Sequence, residues 1–339
     1  MPSFNVDDLF NTGLKLWMVR TVIAAVELGF FEIIGGEGKG LDDVVEKGNL
    51  DRRATGMILD ALIPIGLLER DDSGRYFLTE AAESYFTPGK PDYIGFRLLH
   101  MARLWKAWGE LPESVRTGKP YWINHPGERD TKDMVVLAAM LFSRNYEISR
   151  RLAAVLGVGD RLKGLNILDV AAGSGAWSLG FLDMDGGSKA VAVDFEPVMK
   201  MAVEKAREVG VAERFETISG NVREVDFGEN LYDVAILGHI CHSEGPLHSR
   251  SLIKKTAKAL KVGGKLVIAD MIPDDDRRGP AQPLLFAINM LVNTLEGGTF
   301  TLKEYTEWCE AAGLDNVSPI DIDRPDHSPF IVAEKQRAR

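Results

Sequence analysis

The residues most suited to chemistry in this chain fall into a nucleoside-holding set and a proton-handling set. The first begins in the run Ile167-Leu168-Asp169-Val170-Ala171-Ala172-Gly173-Ser174-Gly175-Ala176. An apolar stretch carrying an acid passes into small residues, which let the backbone turn tightly and approach a ligand closely. Nineteen residues after Gly175, Asp194 closes a second apolar run, Ala190-Val191-Ala192-Val193. A strand–turn–helix–strand unit with a carboxylate at the second strand's tip holds a nucleoside, the acid accepting hydrogen bonds from ribose hydroxyls. Further on, Ser219-Gly220-Asn221-Val222 offers a side-chain amide to an adenine edge, with a plain turn asparagine as the competing reading. The proton-handling set is His242, just past the apolar run Val234-Ala235-Ile236-Leu237, and Asp270, which ends Leu266-Val267-Ile268-Ala269. Imidazole is the side chain suited to taking a proton from a hydroxyl near neutral pH, and a carboxylate beside it fixes its tautomer.

The glycine turn alone does not separate the dinucleotide binders from other nucleoside binders. The dinucleotide fingerprint asks for G-x-G-x-x-G, the last glycine for close helix packing. Counted from Gly173, that position is Ser178, which disfavours a pyrophosphate ligand. His239 and His248 flank His242, but no carboxylate or cysteine completes a familiar metal-ligand spacing, so no metal is expected.

Strands that alternate with helices must carry these residues. Candidate strands are 166–171, 190–194, 214–219, 232–237 and 265–271, with helices near 176–183, 197–209 and 247–260. The pattern predicts an α/β fold, a Rossmann-like, mostly parallel sheet with helices on both faces. Two last runs, Val317–Ile322 and Pro329–Ala333, flank the turn-rich Asp323-Arg324-Pro325-Asp326 and read as an antiparallel hairpin finishing the sheet. Upstream, residues 8–33 show helical apolar spacing that the glycines of 35–40 break. Leu41 restarts a short helix, Asp51 can cap another over 52–65, and 67–78 reads as a small hairpin around Asp71-Asp72-Ser73-Gly74. Helix, helix, hairpin is a mainly α, winged-helix-like pattern. The division expected is 1–91 winged-helix-like, 92–150 a helical connector rich in large side chains, and 151–339 the nucleoside-binding domain.

Of the 339 residues 45% are hydrophobic and 27% charged, the composition of an ordinary globular protein, and the net charge is −10. No long basic block exists, and the second helix of the winged-helix pattern is apolar beyond Arg52 and Arg53. Nucleic acid and anionic membranes are therefore not expected partners. Cys241 and Cys309 are far apart, which fits a cytoplasmic compartment. Leu14 to Ile34 carries Lys15, Arg20, Glu27 and Glu32, too much charge to be expected to span a bilayer.

The chain resembles class I S-adenosylmethionine-dependent methyltransferases, and more narrowly the O-methyltransferases with an N-terminal winged-helix-like dimerisation domain. Plant caffeic-acid-type enzymes and bacterial enzymes of polyketide and pigment tailoring belong there. Leu168 to Gly175 is similar to the family's nucleoside-binding turn, Leu237 to His242 to the segment holding its base, Leu260-Lys261-Val262-Gly263-Gly264-Lys265-Leu266 to its Gly-Gly turn before the fifth strand. Leu104 to Leu111 resembles the helix after the dimerisation domain. The resemblance implies S-adenosylmethionine as cofactor, S-adenosylhomocysteine as product, and a homodimer. It implies cofactor contacts from Asp169, Ala171, Gly173, Gly175, Asp194 and Phe195, and from Asn221, Val222 and Gly238, with His242 as base and Asp270 as its partner. Two departures stand out. Ser243-Glu244 replaces an aromatic pair, and the family's second orienting glutamate after a Gly-Gly pair is missing, Gly297-Gly298 being followed by Thr299-Phe300-Thr301; Glu296, just before the pair, is a candidate substitute.

The reaction implied is methyl transfer to a hydroxyl of a small, aromatic or polyketide-like acceptor. Alignment of nucleophile and methyl does most of the work and His242 removes the proton. Trp105, Met140 and Phe142, with Phe286, Met290 and Asn293, are candidate acceptor-pocket residues, since aromatic and Met side chains suit a flat apolar molecule. Competing readings are a C- or N-methyltransferase of the same fold, a nicotinamide oxidoreductase, and a non-catalytic winged-helix regulator.

Overall fold

The computed structural model describes residues 5–90, 92–123, 131–322 and 328–336. Two compact units divide the chain, Met1–Lys106 and Ala107–Arg339.

In the first unit, helix α1 (Val6–Glu27) is capped by Asn5, whose side chain accepts from the Asp8 amide. Gly29, at φ 69°, interrupts the helical pattern of 8–33, so α2 (Phe30–Ile34) is a separate turn. α3 (Leu41–Gly48) and α4 (Arg52–Leu62) follow; Asp51 caps α4 through the Ala54 amide at 2.8 Å. Strands β1 (Leu68–Arg70) and β2 (Tyr76–Leu78) pair antiparallel, and α5 (Glu80–Phe86) closes the motif. Phe30, Phe31, Ile34, Leu59, Leu62 and Leu68 form its core. α1 leaves Phe10, Leu14 and Trp17 more than half exposed. By length and composition α1 also meets the test for a membrane-crossing helix, despite the charges along Leu14–Ile34. Helix α6 (Gly95–Gly109) runs across the boundary between the units.

The second unit starts with the rest of that helix, α7 (Leu111–Thr117) and the long α8 (Thr131–Leu156). Its seven-stranded sheet contains β3 (Asn166–Val170), β4 (Lys189–Asp194), β5 (Phe215–Ser219), β6 (Tyr232–Gly238), β7 (Leu260–Ala269), β8 (Leu314–Ile320) and β9 (Phe330–Lys335). The order is β5-β4-β3-β6-β7-β9-β8, parallel from β5 to β7 and antiparallel at β9 and β8. This is the expected α/β sheet with an antiparallel finish; the turn expected at Asp323–Asp326 lies outside the described residues. Helices α9 (Ala176–Met184), α10 (Glu196–Glu208), α11 (Cys241–Ala259), α12 (Ala281–Asn293) and α13 (Leu302–Ala311) cover the sheet. Two apolar layers, one on each face, hold it. α11 begins earlier than the spacing suggests, because a short turn at Cys241–Glu244 precedes a break at Gly245 (φ 74°, ψ 172°) and Pro246.

Candidate active site

Parallel strands release their side chains at their carboxyl ends, and a crevice forms there where the chain turns into helices. In the second unit that crevice is a cavity of about 630 Å³, within the range of roughly 300–1,000 Å³ usual for small-molecule sites.

One half is built from the tips of β3, β4 and β5. After β3 the turn alternates left-handed residues: Ala171 at φ 55°, Gly173 at 56° and Gly175 at 74°. The glycines take this conformation freely; Ala171 takes it at a cost of about 1 kcal/mol. A β-carbon at Gly173 would meet only that of Ala138, at 3.6 Å, so the backbone is open to the cavity. Asp194 accepts from the Gly173 amide at 2.9 Å and the Phe195 amide at 2.7 Å. Burial raises its pKa, and those two amides oppose the rise. A carboxylate has about four lone-pair sites, so two remain for hydroxyls. Asn221 also lines the cavity and accepts from the Arg223 amide at 3.0 Å, leaving its NH₂ group directed elsewhere. Val222, Phe195 and Gly238 line the wall too. Gly238 is required by packing as well: any β-carbon there would lie 2.2 Å from the Trp177 indole.

Asp169 departs from the expected cofactor contact. It is fully buried beneath the turn and accepts from Ser178 through its amide (3.0 Å) and hydroxyl (2.6 Å), fastening α9 to β3. Burial lifts its carboxyl to about 7, the Ser178 bonds limit the rise and the charge of Asp194 adds to it. Gly175 is the residue before α9 and meets Phe215 and Leu179 rather than the cavity.

The other half is built where β6 and β7 end side by side. His242 Nδ1 lies 2.5 Å from Asp270 Oδ1. Asp270 also accepts from the amides of His242 (3.1 Å) and Met271 (2.8 Å) and from the Tyr305 hydroxyl (2.8 Å). Burial pushes the Asp270 carboxyl up, but the charge and hydrogen bond of His242, with His239 and the Met271 amide, bring it down to about 2. Being ionised, Asp270 can only accept. Nδ1 of His242 therefore carries a proton, and in the neutral ring Nε2 is the nitrogen that bears the lone pair. Tyr305, pushed up first by burial and then by the charge of Asp270, stays a donor. No hydrogen bond links the Glu296 carboxylate to His242 among the described residues; Glu296 is exposed along the cavity, and Tyr305 occupies the second oxygen of Asp270.

His239, at φ 59°, lines the cavity between Trp177 and His242, its ring 5.6 and 5.8 Å from theirs. Donor atoms of His239, His242 and Asp270 gather within 4.8 Å. Tetrahedral metal bonds of roughly 2 Å would need ligand atoms roughly 3.3 Å apart, and four hydrogen bonds already occupy Asp270, so the arrangement suits proton handling.

The expected acceptor-pocket residues lie in different surroundings. On α8 the cavity is met by Met134, Leu137, Ala138, Leu141 and Asn145, one helical stripe. Met140 and Phe142 lie off that stripe; Phe142 is buried against Tyr146, with the Lys205 ammonium 5.2 Å from its ring. Phe286 meets the His242 ring edge-on at 4.9 Å, while His242 itself, 7% exposed, lies behind the wall formed by His239, Ile240 and Ser243. Met290 is buried. Asn293 donates to Asn289 and accepts at its carbonyl from the Trp122 indole, which does line the cavity. Trp105 belongs to the first unit, under the Arg20 guanidinium at 5.8 Å. The sequence offered no sign of Tyr305, Asn145 or Trp122, whose relevance depends on which helix face meets the sheet edge.

Residues 112–315 match the family model of the O-methyltransferase domain, and 12–88 that of the O-methyltransferase dimerisation domain. The chain belongs to the O-methyltransferase family. This methyltransferase uses the family's methyl donor, S-adenosylmethionine. It is 28% identical over 332 residues to the 3-hydroxy-5-methyl-1-naphthoate 3-O-methyltransferase of Streptomyces sahachiroi, covering 96% of this chain and 94% of that one. It is 29% identical over 326 residues to the acetylserotonin O-methyltransferase of Bos taurus, covering 89% and 90%. Among solved structures, an O-methyltransferase from Nostoc punctiforme superposes with a TM-score of 0.81 at 25% identity, covering 98% and 100%. The human N-acetylserotonin methyltransferase, solved with its methyl donor, has the same fold, with a TM-score of 0.80 at 22% identity over 99% of each chain.

Proposed function

We propose that this O-methyltransferase methylates a hydroxyl of a flat, phenol- or naphthol-like small molecule, with His242 as general base. The observation that carries the reading is the buried Asp270–His242 hydrogen bond beside a cavity whose other half is shaped for a nucleoside. Bound S-adenosylmethionine supplies a methyl already activated by positive sulfur. The protein's tasks are then alignment and deprotonation. Asp194 and Asn221 hold the ribose and adenine, and the left-handed turn at Ala171–Gly175 lets the ligand approach the backbone. His242 Nε2 takes the hydroxyl proton, while Asp270 holds the ring and offsets the positive charge it gains. Met134, Leu137, Leu141 and Trp122 give a flat acceptor an apolar wall. The naphthoate named for the Streptomyces sahachiroi relative, and the polyketide named for the tetracenomycin 8-O-methyl transferase of Streptomyces glaucescens, support this acceptor class. The exposed apolar residues of α1, in the stretch matched by the dimerisation model, support a homodimer, and the two unlinked cysteines fit a cytoplasmic setting. The test is transfer of labelled methyl to a panel of hydroxynaphthoates and polyketide phenols. An O-methyl ether as product is the expected result, and methylation at carbon or nitrogen overturns the reading.

A further inference from the structure

Where the family has a second orienting glutamate after its Gly-Gly pair, this chain has Thr299-Phe300-Thr301. That segment leads into α13, and its end is tied to the loop that Asp270 opens. Thr301 and Glu304 form the helix cap. Arg277, in the loop, donates to the Glu304 carboxylate at 2.9 Å and to the Thr299 carbonyl at 3.2 Å. The Lys303 amide donates to Asp275 of the same loop at 3.0 Å. On the inner side Tyr305 is fully buried, with the rings of Phe300 and Trp308 edge-on to its own at 6.0 and 5.3 Å. Phe300 therefore packs where an acid is absent, and the phenol it packs on reaches Asp270 Oδ2 at 2.8 Å.

The two oxygens of Asp270 have separate duties. Oδ2 takes the Tyr305 hydroxyl and the His242 amide; Oδ1 takes the Met271 amide and the imidazole. Holding Oδ2 aims Oδ1 at Nδ1, and a donor on Oδ2 draws negative charge away from the ring. Resting on the reading of His242 as general base, we propose that Tyr305 is a positioning residue that stands in for the absent second acid, acting on His242 through Asp270. A second carboxylate would add charge that retains the protonated ring, whereas a neutral phenol fixes the geometry without adding it. The other titratable groups facing the pair are His239 after β6, Cys241 on α11 and Cys309 on α13; α12 presents the uncharged Phe286. Burial pushes both thiols up, so His239 alone among these can change charge near neutral pH.

The experiment is kcat and kcat/KM against pH for wild type and Tyr305→Phe, each also in the His242→Ala and His239→Ala backgrounds, with cofactor affinity by calorimetry. Tyr305→Phe is expected to lower kcat about tenfold and to move the acid limb of kcat/KM up by about one pH unit, because Asp270 then holds the protonated ring more strongly. Cofactor affinity should stay within twofold. The same substitution should cost less than twofold in His242→Ala, and its limb shift should persist in His239→Ala. A ring-fluorinated tyrosine at position 305, a stronger donor of nearly the same shape, should move the limb down, and it keeps the test decisive where Tyr305→Phe does not fold. An unmoved limb in either variant, an equal loss in His242→Ala, or a shift that vanishes in His239→Ala overturns the assignment and leaves the base reading intact. Full turnover in His242→Ala removes the base reading itself, and this assignment with it.

Discussion

The two halves of the cavity treat their polar groups in opposite ways. Around Asp270 every lone pair is met: four protein donors converge on one buried carboxylate. Around the β3 turn, Asp194 accepts from two backbone amides and keeps lone pairs to spare. Their carboxyls accordingly move in opposite directions, Asp270 down to about 2 and Asp194 upward. The difference separates two kinds of preorganisation. A group that must hold another side chain in one tautomer is saturated by the protein, whereas groups that must recognise a ligand are left for the ligand to satisfy.

The largest effect should come from the saturated half. His242→Ala is expected to lower turnover about 10³-fold while cofactor affinity stays within twofold; His239→Ala, which leaves the bonded pair intact, is expected to lose less than about tenfold. Turnover and calorimetry measured side by side check both, and equal losses would dissolve the distinction between the two histidines.

Asp169 lies between the halves, one oxygen bonded to Ser178 and the other, Oδ1, buried without a partner. Its carboxyl titrates at about 7 in the folded protein, above its ordinary value near 4, so the folded state holds this proton more tightly. The penalty is absent below the ordinary value, grows as pH rises from about 4 to about 7, and is complete above that. Asp169→Asn should therefore gain stability relative to wild type across that window, by up to about 4 kcal/mol, in denaturant titrations at pH 4, 5.5 and 8. A constant difference would show that the Asp169 proton is not held.

On the ligand-completed side, Asp194→Ala is expected to weaken S-adenosylmethionine about 100-fold, two hydrogen bonds to a charged group, with little change in unfolding midpoint. Tyr305→Phe tests the opposite pattern. It should cost about 1–3 kcal/mol of stability by urea unfolding and lower turnover, yet leave cofactor affinity alone. Smallest is Ala171→Gly, which relieves the left-handed backbone and should add about 1 kcal/mol, raising the thermal midpoint by a few degrees.

What could be read beforehand follows the same division. Strand tips are legible, because an apolar run that stops at an acid or a histidine marks both the strand and the edge where its last side chain emerges. Asp194, His242 and Asp270 stand out in the sequence that way, and β6 and β7 being neighbours brings the last two together. Residues contributed by helices are not legible in this sense. Phe142 and Leu141 are adjacent in sequence and equally apolar, but only the packing of α8 decides that Leu141 faces the cavity and Phe142 the Lys205 side. Tyr305 reaches Asp270 from 35 residues away, through a helix whose pattern announces only burial. Gly29 breaks the helix expected over 8–33, since one left-handed residue outweighs a continuous apolar period, and Gly245 separates an unforeseen turn at Cys241–Glu244 from the helix expected near 247–260.

His242 is anchored from the sheet side, by Asp270 after β7, which Tyr305 on α13 holds in turn, whereas the apolar wall belongs to a stripe of α8 at positions 134, 137, 138 and 141. Those two sets of side chains are mutationally separate. Substitution along the stripe reshapes the cavity wall without touching the His242–Asp270 pair. On the proposed function, a change of acceptor then needs only small steps in a single helix, with the chemistry left intact.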